Sequence, residues 1–207
     1  MLCSAEQWIF ILNDDIIKSK ILLYMVMESC FVLDSQLKLH VPQYRDLWYR
    51  QQLLNDAATM DYNKGYDLDF RGYHKDSGCI DFPEEQWKNW YDWFIGQEPE
   101  RFYAYITRSH DGKFIGEVNI HKSDTALWHE MGIILDAKFR GQGYAVEALK
   151  LLLEYAFVNL NIDAVHNSFE VNRTAAVRTH LAAGFKEYNK ENDNIELLIT
   201  REQYFSK

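Results

Sequence analysis

Leu37, Leu39 and Val41 alternate with polar neighbours until Pro42, the period-two pattern of a half-buried strand that a proline ends. Residues 43–60 then turn helical in character, with Leu47, Trp48, Leu54 and Ala58 as apolar positions. Residues 61–82 read as a loop, because Gly65, Gly72 and Gly78 interrupt a run of tyrosines and aspartates whose rings are expected to cover the core. Pro83, Glu84 and Glu85 suit the first turn of a helix running to Gly96, and Trp87, Trp90, Tyr91, Phe94 and Ile95 give it one apolar stripe. Phe102, Ala104 and Ile106 alternate, Asp111-Gly112 supplies a tight turn, and Phe114, Gly116, Val118 and Ile120 alternate again, so a β-hairpin is predicted. Residues 127–135 form a further strand, ending in an Ile133-Ile134-Leu135 run expected where both faces are covered. After a loop at 136–142, a helix over 143–160 presents Ala145, Ala148, Leu149, Leu152, Leu153, Ala156 and Leu160 on a wide buried face. A strand at 164–171, a helix at 174–183 stopped by Gly184, and a last strand at 195–200 complete the pattern. The fold class is α/β (α+β): a mixed, largely antiparallel sheet with flanking helices.

Composition narrows the picture. At 207 residues, 47% hydrophobic and 26% charged, the chain can bury a sizeable core, and no low-complexity tract divides it. One domain is expected over residues 27–207. Residues 1–26 read as an N-terminal extension: the apolar runs at 8–12 and 21–27 are separated by Asn13, Asp14, Asp15, Lys18 and Lys20. Neither run reaches the roughly 20 residues a bilayer needs, and no secretory pattern precedes them, so no membrane partner is expected. Lysine and arginine total 22 against 31 acids, a formal charge of −9 without a basic cluster, which argues against nucleic acid and favours cationic ligands. Cys3, Cys30 and Cys79 are odd in number and far apart, as in a reduced cytoplasm, and neither they nor the seven histidines show a metal-ligand spacing. The expectation is a cytoplasmic protein without a metal.

The chemistry concentrates in a strand-loop-helix segment. Glu130 to Leu135 is followed by Asp136-Ala-Lys-Phe and then Arg140-Gly-Gln-Gly-Tyr-Ala. Gly141 and Gly143 let backbone approach an anion, and the free N–H groups of the following helix start point outward, which together make a phosphate cradle. Arg140 places a positive charge at its rim. No Gly-Lys-Ser or Gly-Lys-Thr occurs, which disfavours a nucleoside triphosphatase, and Val146 stands where a dinucleotide fingerprint needs a third glycine.

This segment resembles the GNAT acetyltransferase superfamily, whose signature of Gln or Arg, two residues, Gly, one residue, then Gly or Ala is matched by Arg140, Gly143 and Ala145. Residues 173–180 followed by Gly184-Phe185 resemble the family's second motif, a helix ending in Gly-Phe. Tight matches lie within residues 130–185, element order agrees over 37–200, and the look is closest to the ribosomal-protein N-terminal acetyltransferase branch. The resemblance implies the GNAT acyl-CoA fold with acetyl-CoA as co-substrate and an amine acceptor, a protein N-terminus or a small amine. It assigns Ile133, Ile134 and Leu135 to the pantetheine arm and Arg140, Gly141, Gln142, Gly143, Tyr144 and Ala145 to the pyrophosphate. Asn172 or Arg173 stands where relatives carry a cofactor-touching Asn, and His180 where many carry a Tyr that protonates the thiolate. A homodimer is implied by the habit of relatives.

Attack by an amine needs a base near the thioester carbon. Glu130 is the first candidate, because the resemblance sets it beside the acetyl group, and Glu117 is the second. A backbone N–H near Ile133 or Ile134 would polarise the carbonyl. The alternative to an enzyme transferring acetyl in a ternary complex is a non-catalytic acyl-CoA sensor, favoured only by the missing Tyr.

Overall fold

In the computed structural model, which describes residues 35–206, the alternation found above sorts side chains onto the two faces of one sheet. Its strands among the described residues are β1 (Leu37–His40), β2 (Arg101–Arg108), β3 (Phe114–Lys122), β4 (His129–Leu135), β5 (Ala164–Glu170), β6 (Lys186–Glu191) and β7 (Asn194–Thr200). They lie in the order β1-β2-β3-β4-β5-β7-β6, antiparallel throughout except for β4 beside β5. The extension expected at residues 1–26 lies outside the described residues.

One face carries Phe102, Ala104, Ile106, Val118, Ile120 and Met131 against helix α4 (Tyr144–Glu154), which buries Ala148, Leu149, Leu152 and Leu153 there. Each such leucine contributes roughly 1.5–3 kcal/mol, which makes this layer the main stabilising core. Helix α5 (Thr174–Ala183) lies beside α4 and adds Ala183, with Phe185 just beyond it. The opposite face carries Tyr103 and Tyr105 under α1 (Trp48–Asn55) and α3 (Glu84–Phe94), through Tyr49, Leu53 and the Trp90 ring. Among the described residues no helix is long and apolar enough to cross a membrane.

Four expectations change. The helix expected over 43–60 is a 3-10 turn at Tyr44–Asp46, then α1, then α2 (Ala57–Met60). Asp56 breaks it: its backbone is extended, and its side chain accepts from the Thr59 N–H at 3.1 Å as a cap on α2. The 143–160 helix ends its regular part at Glu154 and widens into a π-turn, Tyr155–Asn159, which keeps Ala156 and Phe157 buried. Strand β6 and a short α6 (Arg201–Phe205) are additions; every residue of β6 is exposed, so it carries no apolar alternation to read. In β4 only Leu135 of the Ile133-Ile134-Leu135 run is buried. The two isoleucines are half-buried because they border an open cleft.

Candidate active site

The cleft follows from how two strands part. β4 and β5 pair only at His129 with Val165 and Glu130 with His166. Beyond that rung β4 stays with β3 and β5 with β7, so the β4 edge from Met131 to Leu135 has no strand beside it. Peptide groups on such an edge need a partner. The gap opens into a cleft of about 970 Å³ that crosses the sheet, with Ile133, Ile134 and Leu135 on one wall and Asn167, Ser168 and Phe169 on the other.

At the end of the cleft the chain enters α4. Gly143 is the N-cap with φ +84° and no side-chain cap, and Gly141 has φ +76°. A Cβ at either position would meet nothing within 4 Å, so glycine is needed for the left-handed backbone rather than for room. Gly141, Gly143, Tyr144 and Ala145 line the cleft. A loop of this shape, uncapped at a helix start, fits a pyrophosphate, and the unpaired β4 edge fits an amide-bearing arm. The residues present therefore suit CoA.

Two members of the expected phosphate set behave differently. The Arg140 guanidinium borders the cleft but turns back into the fold, giving N–H groups to the Leu135 and Ala58 carbonyls, each at 3.2 Å, and to Thr59 O. Its donors are spent on carbonyls that α2 and β4 leave open, so it ties the loop to α2 instead of standing free at the rim. Gln142 is exposed and bonds Lys138 O at 3.1 Å, outside the cleft lining. Asn172 and Arg173 both face the cleft, and the Arg173 guanidinium lies 4.9 Å over the Tyr62 ring. Burial, with Glu117 adding to it, pushes the Tyr62 phenol up to about 12, so it stays a neutral donor.

The expected acid-base groups fall in three places. Glu117 reaches the cleft but is 1% exposed, with one oxygen bound to Arg50 and the other to the Tyr103 hydroxyl. Arg50 also lies 4.6 Å from the centre of the Trp90 ring. A carboxylate so engaged is an anchor for α1. Glu130 sits on the last paired rung, outside the cleft lining, with Oε1 accepting from Trp128 Nε1 at 2.6 Å and Oε2 2.7 Å from His166 Nδ1. His166 Nε2 lies 3.2 Å from Glu196 Oε2.

His180 faces the cleft and is buried. Its Nδ1 lies 2.8 Å from Ala176 O, which can only accept, so Nδ1 donates and Nε2 accepts from Asn167 Nδ2 at 2.9 Å. Asn167 Oδ1 accepts the Ser168 N–H, which sets the amide orientation. Burial, helped by Arg173, pulls the imidazole below its usual 6.5. In the neutral ring Nε2 accepts and the Nδ1–H is held by Ala176 O, so neither nitrogen offers a free proton. Because the folded value is depressed, the stability this ring contributes is present above about pH 6.5 and lost as pH falls toward the folded value, at no more than ~1.4 kcal/mol per unit. Melting curves between pH 7.5 and 5 should therefore be steeper in pH for the wild type than for His180→Phe; equal slopes would refute a buried neutral ring.

Sequence reasoning missed Arg50, Tyr103, Asn119, Trp128, His166 and Glu196. Asn119 lies against Gly132, where an added Cβ would come within 2.7 Å of its amide nitrogen. None of these residues stands in a local motif.

Comparison with known proteins agrees with the geometry. Residues 37–186 match a family model described as an acetyltransferase (GNAT) domain. No curated protein matches the sequence. Among solved structures, the spermidine N-acetyltransferase of Vibrio cholerae in complex with CoA and spermine is 20% identical with a TM-score of 0.65, over 83% of this chain and 99% of that one. An acetyltransferase (GNAT family) from Bacillus anthracis is 17% identical with a TM-score of 0.61, over 81% and 96%. Likeness at this identity establishes the shared fold.

Proposed function

The chain belongs to the GNAT acetyltransferase family and is an acetyl-CoA-dependent N-acetyltransferase, and from that premise we propose that its acceptor is the primary amine of a small polycation. The observation that carries this reading is a patch of carboxylates and aromatic rings next to the cleft-lining residues Met131 and Ser168, on the face away from α4. Glu130 and Glu196 are each nearly one-third exposed there, beside the Trp128 and Tyr188 rings, whose centres are 5.5 Å apart. Carboxylates and aromatic faces together attract ammonium groups. The net charge of −9 acts in the same direction, and the Vibrio cholerae neighbour takes spermidine and was solved with spermine.

When bound, acetyl-CoA supplies an activated acetyl group. In this reading the open β4 edge at Ile133, Ile134 and Leu135 holds the pantetheine arm, and the amides of Gly141, Gly143, Tyr144 and Ala145 hold the pyrophosphate, with Asn172 and Arg173 at its side. A β4 N–H polarises the carbonyl. Glu130 is the base, reached from the cleft by way of Gly132 two residues on. His180 positions Asn167 rather than donating a proton. A thiolate, of ordinary pKa about 8.5, leaves without a dedicated acid.

The test is thiol release from acetyl-CoA with spermidine, spermine, aminoglycosides and N-terminal peptides as acceptors. Turnover with polyamines at least tenfold above peptides is the expected result. A preference for peptides would move the acceptor to a protein N-terminus, the other amine implied by the sequence, and would refute the polycation.

A further inference from the structure

His166, on β5, is 5% exposed, and both of its ring nitrogens face carboxylates: Nδ1 at 2.7 Å from Glu130 Oε2 and Nε2 at 3.2 Å from Glu196 Oε2. The Trp128 indole stacks on the ring at 4.7 Å and donates to the other oxygen of Glu130. Asn189 Nδ2 donates to the other oxygen of Glu196 at 2.9 Å. Each carboxylate is thus fixed from its far side. A neutral imidazole has one N–H, so with a neutral ring one of the two contacts sets a lone pair against a carboxylate oxygen. One added proton turns both contacts into hydrogen bonds. The arrangement therefore has a fitted place for one further proton, one rung from the cleft.

Titratable groups around it include His121, which stands opposite Glu130 in the β3–β4 register, Arg101 opposite His121, Lys186 opposite Leu198 (the β7 partner of His166), and Tyr188, which packs edge-on against Trp128. Among the described residues neither carboxylate pairs with a lysine or arginine, and no group of three His, Cys, Asp or Glu side chains is arranged to hold a metal ion. No metal site among the described residues accounts for an imidazole clamped in this way, and a carboxylate-imidazole cluster beside a cleft is an arrangement through which a proton can be passed.

We propose that His166 and Glu196 are positioning residues for acetyl transfer that take up, through Glu130, the proton released by the acceptor amine. The inference rests on the amine-acetyltransferase reading. A primary ammonium loses two protons as its nitrogen forms the C–N bond and the C–S bond breaks; one ends on the thiol sulfur and one must leave. The proton-accepting tautomer is the one whose Nε2–H donates to Glu196 and whose Nδ1 lone pair faces Glu130. The proton reaching Glu130 passes to Nδ1, and the resulting imidazolium donates to both carboxylates. After product release the same proton returns through partly exposed Glu130 to water, which restores the starting tautomer. The Trp128 ring shields the imidazole meanwhile.

The experiment is a pH profile of kcat and KM for the wild-type chain, His166→Gln and Glu196→Gln, by thiol release with the best amine from the acceptor panel, and with CoA binding measured by calorimetry. His166→Gln is expected to lower kcat by about 100-fold, in the range of a lost proton acceptor, with KM for acetyl-CoA unchanged and the acidic limb of the profile displaced. Glu196→Gln should lower kcat about tenfold and move that limb to lower pH, because an amide no longer favours the imidazolium. A purely structural role would not move the limb. If His166→Gln fails to bind CoA, the partly exposed Glu196→Gln decides alone. Wild-type kcat and an unshifted profile in Glu196→Gln, or in both variants, overturn the relay and leave the acetyltransferase reading standing. A wild-type chain that binds CoA but turns over no amine overturns both.

Discussion

Replacing Arg50 with methionine is expected to cost the fold about 3 kcal/mol, the loss that follows when one partner of a buried ion pair is removed. The Arg50 guanidinium holds one oxygen of Glu117 and the Tyr103 hydroxyl, and it lies over Trp90. Its side chain is 17% exposed and that of Glu117 only 2%. Burial alone would favour the neutral form of the arginine, but Glu117 and Tyr103 more than offset it and hold the charge in place. Methionine keeps the packing and removes the charge, so the penalty falls on a carboxylate left in an apolar site. That carboxylate lies on β3 and the arginine on α1, so the pair also holds α1 on the sheet face. Urea denaturation measures the effect, and Arg50→Met combined with Glu117→Gln should recover at least about 1 kcal/mol by removing the stranded charge. A single-variant loss below ~1 kcal/mol, or no recovery in the pair, would show that the contact does not anchor α1.

Gly143→Val is expected to weaken CoA binding at least about tenfold, or ~1.4 kcal/mol, while costing stability roughly 1–2 kcal/mol. Both numbers follow from φ +84°, which a β-branched residue avoids. The cost is conformational, since an added Cβ meets no atom within 4 Å. Gly112 supplies the control: it has φ +68° in the β2–β3 turn and equally open space, far along the chain from the α4 start. Gly112→Val should lose similar stability and bind CoA as the wild type does. Calorimetry of CoA binding separates the two, and identical affinities in both variants would mean that the loop amides do not hold the pyrophosphate.

The parts of this molecule legible in the sequence are those whose cause is local. The β2–β3 hairpin was visible because alternation and the Asp111-Gly112 turn lie within twenty residues, and the Gly184 stop was visible because a left-handed cap is a property of one residue. The glycines at 141 and 143 were visible for the same reason. Strand β6 was not, because Lys186–Glu191 is exposed throughout and owes its extended state to the ladder offered by β7. The direction of Arg140 was hidden as well, since the carbonyls that draw it inward at residues 58 and 59 are about eighty positions away.

The candidate site divides along the same line. By itself the sequence determined the order of the elements with a clear apolar pattern, the glycine loop at the start of α4 and the family signature, because periodicity and positive φ are decided by near neighbours. Only the tertiary structure decided that β4 and β5 part after Glu130 and His166, that Glu117 is engaged by Arg50, and that His166 lies between Glu130 and Glu196. Those facts join residues 30 to 67 positions apart. Which of them meet is set by strand register and by the packing of helices on each face, and no short stretch of chain carries that information.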